Sequence, residues 1–318
     1  MLTTPVLEVG GTHVTAALVD VAAGRTVGPV VRDTLAAHGT AEEILDRIAA
    51  TADRIAAPEG ARWGVAVPGP FDYAGGIGLF KDVGKFEALY GVDVGAGLAA
   101  RIRSRPAALR FLNDADAFGV GEHVAGAARG ERRAVCLTLG TGVGSAFLDA
   151  GVPVNDGPLV PPDGSAHLLV YAGRALEDTV SRRAIRAAYA QAAGVEAGAE
   201  AGSDGTGAGG AGAGGALDVR DIAALARGGD PAARAVLDGA FRALGEALAP
   251  WLDRFAATAV VIGGSIAASW DLIEPALRAG LAAGLGARRA DGLALRTALR
   301  GDDAALLGAA RWAEEPDG

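Results

Sequence analysis

Glu8 precedes the turn Gly10-Gly11-Thr12, inside a run from Pro5 to Asp20 that otherwise reads as two strands. Gly140-Thr141-Gly142, followed by Gly144, has the same look, and Gly263-Gly264-Ser265 makes a third glycine turn. Turns of this kind can aim several backbone N–H groups at one anion, because no Cβ blocks its approach. The plain alternative is that two strands need a connection and glycine supplies positive φ at little cost. The other candidate is Asn113-Asp114, between an apolar strand pattern and a helical one. A carboxylate there can face a cleft as a proton acceptor, yet Asn and Asp also favour helix caps.

Two familiar phosphate motifs do not account for the glycines. "GTGVGS" resembles a dinucleotide fingerprint, but that motif needs a helix directly after it, and "SAFLDAGVPV" reads as strand. No Gly-Lys-Ser/Thr occurs, so the Walker pattern fails. Gly263-Gly264-Ser265 does enter a helical pattern, whose N-terminus could face a nucleotide.

The elements that position these residues follow from periodicity. Strands are expected at 6–9, 14–20 and about 26–34, then a helix over "TAEEILDRIAATADRIA". Thr40 and Glu43 fit a capping box, with Ile44, Ile48, Thr51 and Ile55 at helical spacing. "RWGVAVPGP" reads as a strand ending at Pro68-Gly69-Pro70, and "GAGLAARIRS" as a helix. "LTLGTGVGSAFLDAG" then repeats "LEVGGTHVTAALVDV" at an offset of 130, pairing Gly10 with Gly140, Thr15 with Ser145 and Leu18 with Leu148. Two such units, each opening a half of the chain, suggest a duplicated domain with facing hairpins. The stretch 194–216 holds 10 Gly and 7 Ala in 23 positions, too little apolar surface to offset its ordering, so a flexible insertion is expected. Helices follow, then the buried strand "TAVVIGGS" and a last amphipathic helix, "DDAALLGAARWAEE".

Composition removes several function classes. The chain has 318 residues, ample for two domains, and half of them are hydrophobic. A net charge of −9 argues against nucleic-acid partners, which select basic surfaces. Cys136, the one cysteine, lies in the apolar run "AVCLTLG" and reads as core. It excludes an internal disulfide and a multi-cysteine zinc site, in keeping with a reducing cytoplasm. No signal peptide and no membrane span are evident, so a cytoplasmic protein is expected.

The ordered set "LEVGGTHV", "GVAVPGP", "LNDADAFGVGE", "LTLGTGVGSAFL", His167, "LEDTVS", "VVIGGSIA" and "DDAALLGAA" resembles the ROK family (repressors, uncharacterised reading frames and sugar kinases) over nearly the whole chain. The resemblance implies an α/β chain with the two-lobed actin-like ATPase fold, a duplicated ribonuclease H-like architecture with ATP and magnesium between the lobes and a sugar in the cleft. One lobe is expected at 1–110 plus 302–318, the other at 111–301. With no helix-turn-helix segment before the first strand, the kinase branch is expected. By the same resemblance, Gly10, Gly11, Thr12, Gly140, Thr141, Gly142, Gly144, Gly263, Gly264 and Ser265 border the nucleotide. Glu8, where the family carries Asp, is a magnesium-side carboxylate acting directly or through water. Asp114 matches the catalytic base, and Asn113, Asp114, His167, Glu177 and Gly69 the sugar contacts; Asp116 reads as a first-turn acid. The family's glutamate before His167 is replaced by Gly164 or Asp163, and its zinc-binding cysteines are missing, so no zinc is expected and packing around Tyr171 and Leu176 should hold that loop. The loop 71–94 occupies the substrate-loop position, with Lys81, Asp82, Lys85 and Phe86 in place of the usual asparagine and tryptophan pattern. The implied activity is ATP-dependent phosphorylation of a hexose, glucose at its 6-hydroxyl first. A kinase for an N-acetylhexosamine and a non-catalytic sugar or nucleotide sensor are the rivals. A homodimer is implied by resemblance alone.

Overall fold

The computed structural model describes residues 3–194 and 217–315; all of the glycine- and alanine-rich stretch except Gly194 lies outside them. The first half opens with β1 (Thr4–Val9), β2 (His13–Asp20) and β3 (Arg25–Thr34), an antiparallel meander. Helix α1 (Ala41–Ala52) starts at the expected capping box: Thr40 Oγ1 accepts from Glu43 N–H at 3.2 Å, and Glu43 Oε2 accepts from Thr40 N–H at 2.8 Å. Strand β4 (Arg62–Val67) returns parallel to β1. The short ribbon β5 (Phe71–Asp72) and β6 (Ile77–Gly78) follows. Helix α2 (Val94–Ala99) is shorter than its sequence pattern suggested; Asp93 caps it, and Leu98 and Ile102 carry the apolar anchor into the core. Strand β7 (Ala108–Asn113) pairs parallel with β4, giving the order β3-β2-β1-β4-β7. The expected lobe boundary at Arg110 therefore falls inside a strand.

The second half repeats this plan. Helix α3 (Asp114–Ala125) leads to β8 (Arg133–Leu139), β9 (Val143–Asp149) and β10 (Val152–Pro153). The ribbon β11 (Val170–Tyr171) and β12 (Arg174–Ala175) precedes helices α4 (Glu177–Val180), α5 (Arg182–Ala193), α6 (Val219–Arg227) and α7 (Pro231–Arg254). Strand β13 (Ala259–Gly263), helices α8 (Trp270–Leu285) and α9 (Ala287–Asp291), strand β14 (Ala294–Thr297) and helix α10 (Ala304–Glu314) complete it. The sheet order β10-β9-β8-β13-β14 matches that of the first half strand for strand. One detail of the repeat differs from the sequence offset. Val9 pairs with Val14 but Leu139 pairs with Val143, so the second turn is a residue shorter. Gly144, opposite Thr138, is therefore the counterpart of Thr15, opposite Glu8, and Ser145 is not.

Three cores result. One lies among β8, β9, β13 and helices α5 to α8; another joins the first sheet to α1, α2 and the loop aromatics Phe71, Phe80 and Phe86. The third is a shared layer. Apolar residues of both sheets, including Val6, Ala66, Cys136 and Val261, close on Ala117 and Phe118 of α3 and on Leu306 and Leu307 of α10. The two helices meet through glycines. A Cβ on Gly121 would overlap the Ala304 carbonyl, and one on Gly308 the Ala117 carbonyl. Glu122, fully buried, adds a polar tie: its carboxylate accepts from the N–H groups of Ala127 (2.7 Å), Leu299 (3.1 Å) and Arg300 (2.7 Å). This layer sets where the first turn of α3 points.

Candidate active site

Asn113 ends β7 and caps α3. Its Oδ1 accepts from Ala115 N–H at 2.9 Å and Asp116 N–H at 3.4 Å, and its Nδ2 donates to Tyr73 Oη at 2.8 Å. The cap is thus Asn113's work, and Asp114 is left at the first helical position, accepting one local bond from Ala115 N–H at 2.9 Å. Asp114 is exposed to solvent. Surrounding protein nevertheless desolvates it and raises its carboxyl above the usual range, against the opposing pull of Lys85 and of its backbone N–H partners. Accessible yet desolvated is the condition of a group in a recess, and a carboxylate held there is a stronger base than one in open water.

Glu8 shares that recess. Burial lifts its carboxyl to about 7, Asp114 and Asp302 push it the same way, and Arg32 opposes them. Among the described residues no group of three or more ligating side chains closes into a metal cluster. Magnesium is a hard cation that commonly takes one or two protein carboxylates and completes its shell with phosphates and water. The oxygen donor of Glu8 fits it.

The first glycine turn is closed by Gly10 N–H donating to the His13 carbonyl at 2.8 Å and tied to β3 by Leu35 N–H on the Thr12 carbonyl at 2.7 Å. The Lys85 stem covers Gly11: a Cβ there would lie 3.7 Å from Lys85 Cδ. In the second turn Gly140 N–H donates to the Gly142 carbonyl at 3.0 Å, and Arg182 N–H donates to the Gly140 carbonyl at 2.8 Å. Thr141 is exposed at its tip. Gly144 lets α3 approach, since a Cβ on it would stand 2.9 Å from Ala115 Cβ. The third turn touches the second. A Cβ on Gly140 would lie 3.8 Å from Ser265 Oγ, and Gly264, at φ +82°, runs so close to the Leu139 backbone that no side chain fits. Ser265 opens a five-residue 3₁₀ segment before α8 rather than the α-helix expected directly after the glycines.

On the acceptor side, Gly69, Tyr73 and Asn113 lie together: a Cβ on Gly69 would be 3.3 Å from Tyr73 Oη and 3.9 Å from Asn113 Nδ2. His167 is half-buried on a turn braced by Ser145, whose hydroxyl donates to the Gly164 carbonyl at 2.7 Å and accepts from Ala166 N–H at 2.8 Å. That turn reaches α3 through Asn155, which donates to Asp116 Oδ2 at 2.9 Å. The structure brings Glu177 to the second glycine turn, where its Oε2 accepts from Val143 N–H at 3.0 Å. The following loop is held by Leu176, fully buried, and by Tyr171 Oη donating to Glu246 at 2.9 Å. Complete burial of a leucine is worth about 1.5–3 kcal/mol. Cys136 is core, as its surroundings in the sequence suggested.

Asp116 is more than a first-turn acid. It is buried, its Oδ1 has no partner, and burial followed by the nearby Asp114 raises its carboxyl to about 7, against the Asn155 bond. A raised acid favours the neutral form in the fold. The stability this confers is therefore present in full below the ordinary aspartate range and gone once pH has risen through about 7. Asp116→Asn, always neutral, is expected to gain melting temperature over the parent at pH 8 and to lose that advantage by pH 4. A pH series of thermal melts reads this directly, and a constant difference across it would refute the assignment.

Tyr73, Asn155 and Asp302 were not evident as site residues from the sequence. Each joins the site through a partner far away in sequence, 40 positions in the Tyr73–Asn113 pair and 39 in the Asn155–Asp116 pair. Only Tyr73 had a nearby signal, standing just after the Pro68-Gly69-Pro70 turn.

The sequence profile described as the ROK family matches residues 5–157 and 171–316. The glucokinase of Thermotoga maritima is 30% identical over 286 residues, spanning 86% of this chain and 84% of that protein. The ROK hexokinase of Thermus thermophilus superposes with a TM-score of 0.73 at 25% identity, covering 98% of this chain and 97% of that one. The ROK family glucokinase of Streptomyces griseus, solved in complex with glucose and AMPPNP, gives 0.72 at 23% identity over 98% of each chain, a likeness of fold. With these matches the two five-stranded sheets and their helices are the two-lobed, duplicated α/β architecture of actin-like kinases.

Proposed function

The chain belongs to the ROK family, and we propose that it is an ATP-dependent sugar kinase, transferring the γ-phosphoryl group to a hexose hydroxyl, with the 6-hydroxyl of glucose as first substrate. The observation that carries this reading is the division of labour at the start of α3. Asn113 meets the capping need, so Asp114 is free in a recess beside the first glycine turn and Lys85.

In this reading Asp114 takes the proton of the attacking hydroxyl, while Asn113, Gly69 and His167 line the sugar. The turns at Gly10-Gly11-Thr12, Gly140-Thr141-Gly142 with Gly144, and Gly263-Gly264-Ser265 offer backbone N–H groups and close backbone approach to the nucleotide. Glu8 would hold magnesium, directly or through water, and the ion supplies charge neutralisation on the phosphates. Glu177 spends Oε2 on the N–H of Val143, and its second carboxylate oxygen is the acceptor it would offer a sugar hydroxyl. The lobes would be 1–110 with 302–318, and 111–301. Zinc has no part in the proposal, nor has nucleic acid or membrane; among the described residues no helix is long and apolar enough to cross a bilayer. A cytoplasmic homodimer is the working assumption.

A second reading has one specific support. Gly164 or Asp163 stands where the family carries a glutamate before His167, and the loss of that carboxylate fits an acceptor other than glucose, such as an N-acetylhexosamine. ADP release measured with ATP, magnesium and a panel of hexoses and N-acetylhexosamines separates the two. Sugar-dependent release, highest with glucose and yielding the 6-phosphate, is expected. A preference for N-acetylhexosamines favours the second reading. Binding of ATP and sugar without release on any of them would make the protein a sensor.

A further inference from the structure

Of the 29 basic Lys and Arg residues in this chain only two are lysines, Lys81 and Lys85, and both lie in the loop after β6. Arginine, planar and wide, serves every other cationic position; lysine ends in a compact ammonium on a flexible stem. Lys85 is also fixed in place. Phe86 beside it is almost wholly buried, and its N–H donates to the Ala37 carbonyl at 2.8 Å. On the other side Gly84 N–H donates to Glu87 Oε1 at 3.0 Å. Held at both neighbours, the half-buried Lys85 sends its stem over Gly11 of the first glycine turn, and its charge is felt at Asp114. Among the described residues it enters no ion pair.

We infer that Lys85 is a catalytic residue, its ammonium standing between the first glycine turn and Asp114 to neutralise the phosphoryl group as it crosses to the acceptor. The inference rests on the kinase reading above. In the step, the sugar oxygen forms its bond to the γ-phosphorus as the bond from that phosphorus to the β–γ bridging oxygen breaks. The bridging oxygen keeps the electron pair and leaves on ADP, and the hydroxyl proton passes to Asp114. Lys85 donates to the phosphoryl oxygens, where a preorganised donor is most effective.

The test uses the whole chain and the best sugar from the panel. Lys85→Met is expected to lower kcat by about 10²-fold or more, in the range for loss of one preorganised donor, with the sugar KM and the melting temperature near the parent's. Lys85→Arg, keeping the charge but not the compact ammonium, should recover part of that loss. Reductive methylation followed by mass spectrometry gives a readout independent of turnover. Sugar with AMPPNP should shield Lys85 and leave exposed Lys81 reactive. Near-parent turnover in Lys85→Met, equal labelling of Lys85 with and without ligands, or equal loss in both variants with a fallen melting temperature would each overturn the assignment. A wild-type chain that phosphorylates no sugar is a different failure, seen before any variant is made: it overturns the kinase reading and this inference with it.

Discussion

Asp114→Asn is expected to lower kcat by about 10²–10⁴-fold, the usual cost of losing a general base. The substitution keeps size and hydrogen bonding: an Asn oxygen can still accept the Ala115 N–H now bonded at 2.9 Å. Helix capping is untouched, because Asn113 supplies it. Since burial already disfavours the charged form of Asp114, a neutral residue there should leave the melting temperature unchanged or raise it at neutral pH. ATP affinity should change little. Loss of turnover without loss of stability is a pattern that a capping residue cannot produce. Asp116→Asn is the matched control and should stay within several-fold of the parent. Near-normal turnover in Asp114→Asn would remove the base and favour the sensor reading.

Gly121→Val should produce the largest loss of stability. The Cβ alone would overlap the Ala304 carbonyl of α10, and the obstacle is backbone, which cannot rotate aside as a side chain can. The crossing of α3 and α10 must open, and with it the layer between the two sheets. Overpacking typically costs about 1–3 kcal/mol, and an overlap with backbone belongs at or above the top of that range. A urea melt should show a clearly lowered midpoint, and kcat should fall as well, since the same helix carries Asp114 in its first turn. Gly239→Ala is the contrasting variant. It lies exposed on α7, a Cβ there meets nothing within 4 Å, and it should gain up to about 1 kcal/mol from reduced backbone entropy in the unfolded chain. Unaltered stability in Gly121→Val would mean that the helices do not need this close crossing.

What could be read from the sequence is what closes within a few residues. The Thr40–Glu43 capping box, the two glycine-turned hairpins and the strand-to-helix junction at Asn113-Asp114 all stand where spacing put them. Their partners are two to five positions apart, so residue type and interval are enough. The same locality explains the errors of detail. An offset of 130 matched Thr15 to Ser145 because residue counts cannot reveal that one turn is a residue shorter, which cross-strand pairing alone decides. Which residue of Asn113-Asp114 caps the helix was open for a similar reason, since either side chain can do it.

The tertiary structure decided which charges share a recess and which backbones touch. Glu8 and Asp114 come from the beginning and the middle of the chain, and their carboxyls are raised by burial, for Glu8 also by the charges of Asp114 and of Asp302 near the chain's end, none of which a local window contains. Glu122 looks in sequence like a solvated helix residue, yet it is buried against N–H groups 177 and 178 positions away. Glu177, a sugar residue by resemblance, sits on Val143 because the second glycine turn offers an N–H there. Lys85 reaches Gly11 only because Phe86 is driven into the core. Local patterns place the turns and caps, since these depend on near neighbours; burial and long-range packing, which depend on the whole folded chain, turn them into a site.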